Sequence, residues 1–206
     1  MSAEAKVHIV DDEDDVRRAL ERLVRSEGLQ VVSHASGEAF LDALGEDASG
    51  CVVLDVAMPG MSGPEVHERL LAAGRPFAVV FLTGRGDIPT TVRAMRSGAV
   101  DFLTKPVRSA ELLCAVAQGM ARVCAESARR VEAAVDGRRL ERLTPRERDV
   151  MAEVIAGRSN RTIGQRLGVA EQTVKLHRAR VMEKIDVTSV AELVRFAQRV
   201  GIEPAP

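Results

Sequence analysis

The sequence has no tryptophan and no tyrosine, and only five phenylalanines. That disfavours a β-sandwich or barrel with an aromatic core, and a carbohydrate site built on ring stacking. No apolar run approaches the ~20 residues that a membrane-spanning helix needs. The chain opens Ser2-Ala3-Glu4-Ala5-Lys6, then passes through a short apolar stretch into a string of acids, which is no signal peptide. Cys51, Cys114 and Cys124 make an odd count with no metal-ligand spacing. This suits a reducing, cytoplasmic setting, and packing is the expected role of Cys114 and Cys124.

Charge is unevenly spread. Residues 1–121 hold 12 Lys and Arg against 18 Asp and Glu, whereas residues 122–206 hold 17 against 12. An acidic half joined to a basic half points to two domains with different partners. Within residues 158–184 there are seven basic residues and two acids, so a polyanion is expected there.

In the first half, short apolar runs alternate with amphipathic stretches. Residues 7–10, 29–32, 51–54, 79–82 and 100–103 read as strands. Helical patterns lie near 14–27, 37–45, 63–73, 88–97 and from Ser109 onward. Five such units in order imply a doubly wound, five-stranded parallel sheet with helices on both faces. The helix from Ser109 is expected to continue past Met120 and to stop at Asp136-Gly137, with Gly119 a weak point. The second half is read as all-α. Thr144-Pro145-Arg146-Glu147 is a capping box with proline at the first helical position, and Ser159 caps the next helix. Gly157 and Gly168 end helices, one more begins near Ala170, and the last runs from Thr188 or Ser189 to about Val200.

In a parallel sheet, function gathers beyond the carboxyl ends of the strands. Asp11 and Asp12 follow the first strand, Asp55 the third, Thr83 the fourth and Lys105 the fifth. Converging carboxylates repel one another unless a cation sits among them, and an all-oxygen set favours a hard ion such as Mg²⁺. A hydroxyl and an ammonium nearby suit phosphoryl oxygens, and a carboxylate can itself be the nucleophile. One such residue alone could equally well cap a helix or end a strand; five in this order define one site.

Asp11-Asp12-Glu13, Asp55 with Met58-Pro59-Gly60-Met61-Ser62-Gly63, Thr83-Gly84 and Lys105-Pro106 resemble the receiver domain of two-component response regulators, over residues 4–121. The resemblance implies that Asp55 accepts phosphate from a sensor histidine kinase. It implies that Asp12, Asp55 and the Ala57 carbonyl hold Mg²⁺ (or Mn²⁺), with Asp11 acting through water. It makes Thr83 and Lys105 the phosphoryl contacts, and Thr83 and Phe102 the switch pair. It also implies a cis Lys105–Pro106 bond and a dimerisation face over residues 88–106.

The basic half has the spacing of a helix-turn-helix. Ile163, Leu167, Val169, Val174, Val181 and Ile185 supply a small core, and basic and hydroxyl side chains occupy the remaining faces. A basic amphipathic helix alone is more often a solvated face. Here Leu143-Thr144-Pro145-Arg146-Glu147, Gly157-Arg158-Ser159-Asn160, Ile163-Gly164 and Thr173-Val174-Lys175-Leu176-His177 resemble the LuxR-type domain of NarL/FixJ regulators, FixJ-like branch, over residues 139–200. Ala170 departs from the usual capping Ser or Thr, which Glu171 offsets at the helix N-terminus. The resemblance implies duplex promoter DNA held by Thr173, Lys175, Leu176, His177, Arg178, Ala179 and Arg180.

The expected organisation is a receiver at 4–121, a largely helical linker at 122–138 and a DNA-binding domain at 139–206. The expected function is a cytoplasmic, phosphorylation-gated transcription regulator. It pairs with itself on phosphorylation, works with RNA polymerase, has no membrane contact, and has no enzymatic activity beyond phosphotransfer to and from its own aspartate. A metal-dependent phosphatase would leave residues 139–200 unexplained. The other alternative is a protein-interaction regulator whose basic domain binds RNA or protein; the lack of stacking aromatics in that domain counts against single-strand RNA readout. The four histidines are too scattered to suggest a catalytic pair.

Overall fold

The computed structural model describes residues 5–46, 48–84 and 98–205, and the chain divides into two compact units at Ser127/Ala128. In the first unit, β1 (Lys6–Val10), β2 (Val31–His34), β3 (Gly50–Asp55), β4 (Phe77–Thr83) and β5 (Asp101–Thr104) form one parallel sheet in the order β2-β1-β3-β4-β5. The central strand β3 is buried along its whole length, as expected where helices cover both faces. Alternation sends Val7, Ile9, Cys51 and Val53 to one face, under α1 (Asp14–Ser26) and the start of α4 (Ser109–Glu141). Val10, Val52 and Leu54 go to the other, under α2 (Gly37–Asp42) and α3 (Gly63–Ala72). The doubly wound parallel architecture is therefore as expected. The expected helix at 88–97 lies outside the described residues, and with it most of the anticipated dimer face.

Two features of α4 differ from expectation. Gly119 is no weak point. A Cβ there would stand 2.8 Å from Cys51 Sγ and 3.2 Å from Ala78 Cβ, so the absent side chain lets α4 lie directly on β3 and β4. The helix also does not stop at Asp136-Gly137; it runs on through Glu141. Asp136 is buried, accepts a hydrogen bond from Arg199 Nε at 2.8 Å and lies 3.6 Å from Arg139. These charges stabilise a turn that composition alone assigns to a loop. The cysteines divide differently too. Cys51 is buried, while Cys114 and Cys124 are exposed, so packing is not their role.

The second unit is all-α, as expected. After the end of α4 come α5 (Pro145–Ile155), α6 (Asn160–Leu167), α7 (Glu171–Ile185) and α8 (Val190–Arg199). Thr144 accepts from the Glu147 N–H, and the Glu147 carboxylate accepts from the Thr144 N–H at 2.9 Å. Ser159 and Ser189 cap α6 and α8, Gly168 is left-handed at the end of α6, and Ala170 precedes α7 without a side-chain cap. Ile163, Val174, Val181 and Ile185 are buried in one core with Met151, Leu193 and Phe196, and Leu167 and Val169 pack against it.

Glu147 does more than cap. Its Oε2 also accepts from Lys184 Nζ at 2.6 Å, tying α5 to the end of α7, and the residue is only 2% exposed. Burial opposes its ionisation. The Lys184 hydrogen bond, the two Thr144 bonds and the Lys184 charge outweigh that and hold the pKa at about 2. The pair therefore contributes its full stability above the ordinary pKa near 4.5 and loses it as pH falls toward 2. Glu147→Ala, which strands a half-buried ammonium, is expected to cost about 2–3 kcal/mol in the second unit. Thermal melts of both proteins at pH 7 and pH 3 check this; the gap should narrow at pH 3.

Candidate functional site

The carboxyl ends of β1, β3 and β5 bring one cation and four acids together. Lys105 Nζ lies 2.8 Å from Asp11 Oδ2, 2.9 Å from Asp55 Oδ2 and 3.2 Å from Glu13 Oε1. Asp11, Asp12 and Asp55 each offer an oxygen within 4.8 Å of the others. Asp11 and Asp55 are buried and Asp12 is exposed, so the cluster opens to solvent on one side. Backbone bonds position the acids: Asp11 Oδ1 accepts from the Glu13 N–H at 2.9 Å, and the Ala57 N–H reaches Asp55 Oδ1 at 3.4 Å. Gly63, at the start of α3, has no room for a Cβ against the Asp55 carbonyl, so α3 begins directly beneath the loop that follows Asp55.

The electrostatics are unbalanced. Burial opposes charge on Lys105, but hydrogen bonds and charges from Asp11 and Asp55 prevail and hold its pKa above the ordinary lysine value. Asp11 is pushed up, first by burial and further by Asp55, against the pull of Lys105 and the Glu13 N–H. Its Oδ2 is buried and makes no well-directed hydrogen bond, although Lys105 sits at ion-pair distance. One ammonium facing an excess of carboxylate, with a buried oxygen short of a donor, fits a hard divalent cation among Asp11, Asp12 and Asp55.

Thr83 is buried at the end of β4, and its hydroxyl donates to the Gly84 carbonyl at 3.0 Å. Phe102, on β5 opposite Phe81, lies with its ring 5.5 Å from that neighbour's ring. The Lys105–Pro106 bond is cis. Sequence reasoning did not single out Glu13 as a third partner of Lys105, or Glu38, whose Oε1 accepts from the Met61 N–H at 2.9 Å across 23 residues. Glu13 stands inside the quoted acidic motif, which was the available signal; for Glu38 there was none. Two of the scattered histidines meet: His8 Nδ1 and His34 Nε2 are 3.1 Å apart, both buried against Phe40. Burial, then His34 and Lys6, push His8 down to about 4, so it is neutral at pH 7. The pair is sealed in the sheet face and far from catalytic exposure.

In the second unit, α7 sorts its side chains by turn. Lys175, Leu176, Ala179 and Arg180 are exposed, Leu176 by 51%. Thr173, His177 and Arg178 are half-buried. Lys175 Nζ lies 3.5 Å from Glu171 Oε1, a solvent-exposed pair worth little. Arg178 donates to Asn160 Oδ1 at 3.2 Å, which ties α7 to the start of α6; Asn160 was not foreseen in this role. His177 Nδ1 is buried with no hydrogen-bond partner among the described residues. Behind this face, Glu153 accepts from Arg158 at 2.5 Å and from Arg166 at 3.0 Å, fixing α6 against α5.

Residues 7–117 match the response regulator receiver domain, and residues 141–197 match the bacterial regulatory proteins of the luxR family. The chain is a response regulator of the LuxR-type family. It is 44% identical over 200 residues to the transcriptional regulatory protein FixJ of Azorhizobium caulinodans, covering 97% of this chain and 94% of that one. It is 41% identical to nodulation protein W of Bradyrhizobium diazoefficiens, covering 98% and 88%. Among solved structures it is similar to the response regulator StyR, at 40% identity and a TM-score of 0.88, covering 96% and 100%.

As a response regulator of this family, the chain is a phosphorylation-activated transcription regulator and not an enzyme, apart from phosphotransfer within its receiver. The receiver implies a histidine kinase as partner, and the LuxR-type domain implies DNA binding. Among the described residues, no helix is long and apolar enough to cross a membrane.

Proposed function

We propose that Asp55 is the phosphoacceptor and that its phosphorylation drives dimerisation and promoter binding by α7. The observation that carries this reading is the placement of Lys105 between Asp55 and Asp11, with Asp12 beside them. An Asp55 oxygen bonds to phosphorus as the phosphorus–nitrogen bond of the kinase phosphohistidine breaks, and the histidine leaves. Lys105 stays charged and turns from carboxylate to phosphoryl oxygen. The Thr83 hydroxyl leaves the Gly84 carbonyl to donate to a second phosphoryl oxygen, and Phe102 repacks beside it. Asp12, Asp55 and the Ala57 carbonyl would hold Mg²⁺ or Mn²⁺, with Asp11 acting through water. The ion supplies positive charge against the transferring group.

The modules proposed are a receiver at 4–121, a joining stretch at 122–138 and the DNA-binding domain at 139–206. On DNA, Lys175, Leu176 and Ala179 face base edges, and Thr173, His177, Arg178 and Arg180 serve the backbone. The setting is the cytoplasm, and RNA polymerase is the onward partner. The metal requirement is testable by mass analysis after incubation with acetyl phosphate. Labelling is expected to vanish with a chelator and return with Mg²⁺ or Mn²⁺. Equal labelling without divalent ions would overturn the metal site.

A further inference from the structure

Ala57 lies on the loop between Asp55, at the end of β3, and Gly63, at the start of α3. Backbone bonds fix the two ends of that loop. The Val56 N–H donates to the Leu82 carbonyl at 2.9 Å, and the Gly63 N–H donates to the Val56 carbonyl at 3.1 Å. Its middle is held from α2. Glu38, in the first turn of that helix, reaches across so that its Oε1 accepts from the Met61 N–H at 2.9 Å. The chain is shaped for this contact from both sides. Gly60 has φ +77°, a left-handed backbone that favours glycine, and a Cβ there would stand 2.8 Å from Glu38 Oε1. Gly37, next to Glu38, has no room for a Cβ against Val66, and one would stand 3.4 Å from the Met61 carbonyl oxygen. Met58 and Met61 are buried in the core beneath α2 and α3, but Glu38 is exposed, so the core gains nothing from its carboxylate.

We propose that Glu38 is a positioning residue for the divalent cation: by holding Met61 it fixes the loop that carries Ala57, and so sets the affinity of the carboxylate cluster for the metal. The inference rests on the reading that Asp12, Asp55 and the Ala57 carbonyl hold that ion. Asp55 is placed by a strand buried along its whole length. A carbonyl on a loop is only as well placed as the loop. Mg²⁺ demands near-octahedral oxygens, so freedom in one ligand lowers affinity. Removing the acceptor leaves the Met61 N–H to water at a partly buried site, a modest loss that the fold tolerates. Partners one step behind metal ligands commonly tune affinity by roughly 10–100-fold, and Glu38, acting through the loop, belongs at the lower end, about tenfold.

The test reads metal binding without phosphotransfer. Mn²⁺ is titrated into the full chain, and the free ion is followed by electron paramagnetic resonance. Asp12→Asn identifies the binding that belongs to the cluster. Glu38→Ala is expected to weaken that binding about tenfold. Glu38→Gln, which keeps an acceptor oxygen for Met61, is expected to stay close to wild type. Arg75→Ala serves as the control for general loosening. Arg75 donates to the Gly45 and Glu46 carbonyls and holds a different loop of the same unit. That variant should melt lower than wild type and bind Mn²⁺ unchanged. Wild-type affinity in Glu38→Ala, whatever its melting temperature, would overturn the proposal. So would a loss in Glu38→Gln as large as in Glu38→Ala, which would make charge and not the loop bond the cause. An equal loss in Arg75→Ala would overturn it too. A wild type that binds no Mn²⁺, or an Asp12→Asn variant that binds it equally well, removes the metal reading itself and this inference with it.

Discussion

Asp55→Asn is expected to abolish phosphorylation by acetyl phosphate while leaving the fold intact. The change keeps the size and planarity of the side chain but replaces one oxygen with an amide nitrogen, which cannot attack phosphorus. It also removes one of the three carboxylates around Lys105, so the like-charge repulsion in the site falls. The variant should therefore melt no lower than the wild type. Asp11 and Asp12 do not substitute as acceptors, because Asp11 is buried and ion-paired with Lys105, and Lys105 also pairs with Asp55 but with no oxygen of Asp12. Intact-mass analysis reads the outcome directly. Full labelling of the variant would move the phosphoacceptor to another residue.

Lys175→Ala and Arg178→Ala are expected to weaken DNA binding in different ways. Lys175 is exposed on α7, where it forms a surface pair with Glu171, and it is long enough to reach guanine acceptors in the major groove. Its loss should cost ~1–3 kcal/mol and relax preference at one base position. Arg178 is half-buried and braced by Asn160, which suits a fixed charge aimed at the backbone. Its loss should weaken binding to all sequences alike and reduce the salt dependence. Asn160→Ala should reproduce part of the Arg178 effect, because it frees the guanidinium without removing its charge. Titrations against one duplex and its single-base variants, at two salt concentrations, separate these outcomes. A uniform loss from Lys175→Ala would assign that lysine to phosphate.

The parts of this molecule that were legible in sequence are those set by local periodicity and by strand ends. Val7–Val10 and Cys51–Leu54 announce buried strands, and the residues that follow them must then gather at one edge of a parallel sheet. That is enough to bring Asp11, Asp12, Asp55 and Lys105 together. Contacts made by long side chains across the fold were not legible. Glu13 reaches Lys105 over 92 residues, Glu38 reaches Met61, and Arg178 reaches Asn160, each through rotamers that no spacing rule fixes. The end of α4 was misread for a related reason. Asp136-Gly137 is a loop signal locally, but Arg199, 63 residues away, neutralises the buried aspartate and keeps the helix going. Cysteine composition said nothing about exposure, because Cys114 and Cys124 lie on the outer side of a helix whose inner side already fills the core.

The account stands on one coupling, between the phosphoryl group at Asp55 and the affinity of α7 for duplex DNA. The direct measurement is a binding titration of the full chain against a duplex that the phosphorylated protein selects from a random pool, with and without acetyl phosphate and Mg²⁺. Wild type should bind about tenfold or more tightly when phosphorylated, within the usual range for coupling between distant sites. Base preference should not change, and Asp55→Asn should show no response to the phosphodonor. Equal affinity of the phosphorylated and unphosphorylated wild type, or an undiminished response in Asp55→Asn, would contradict the account.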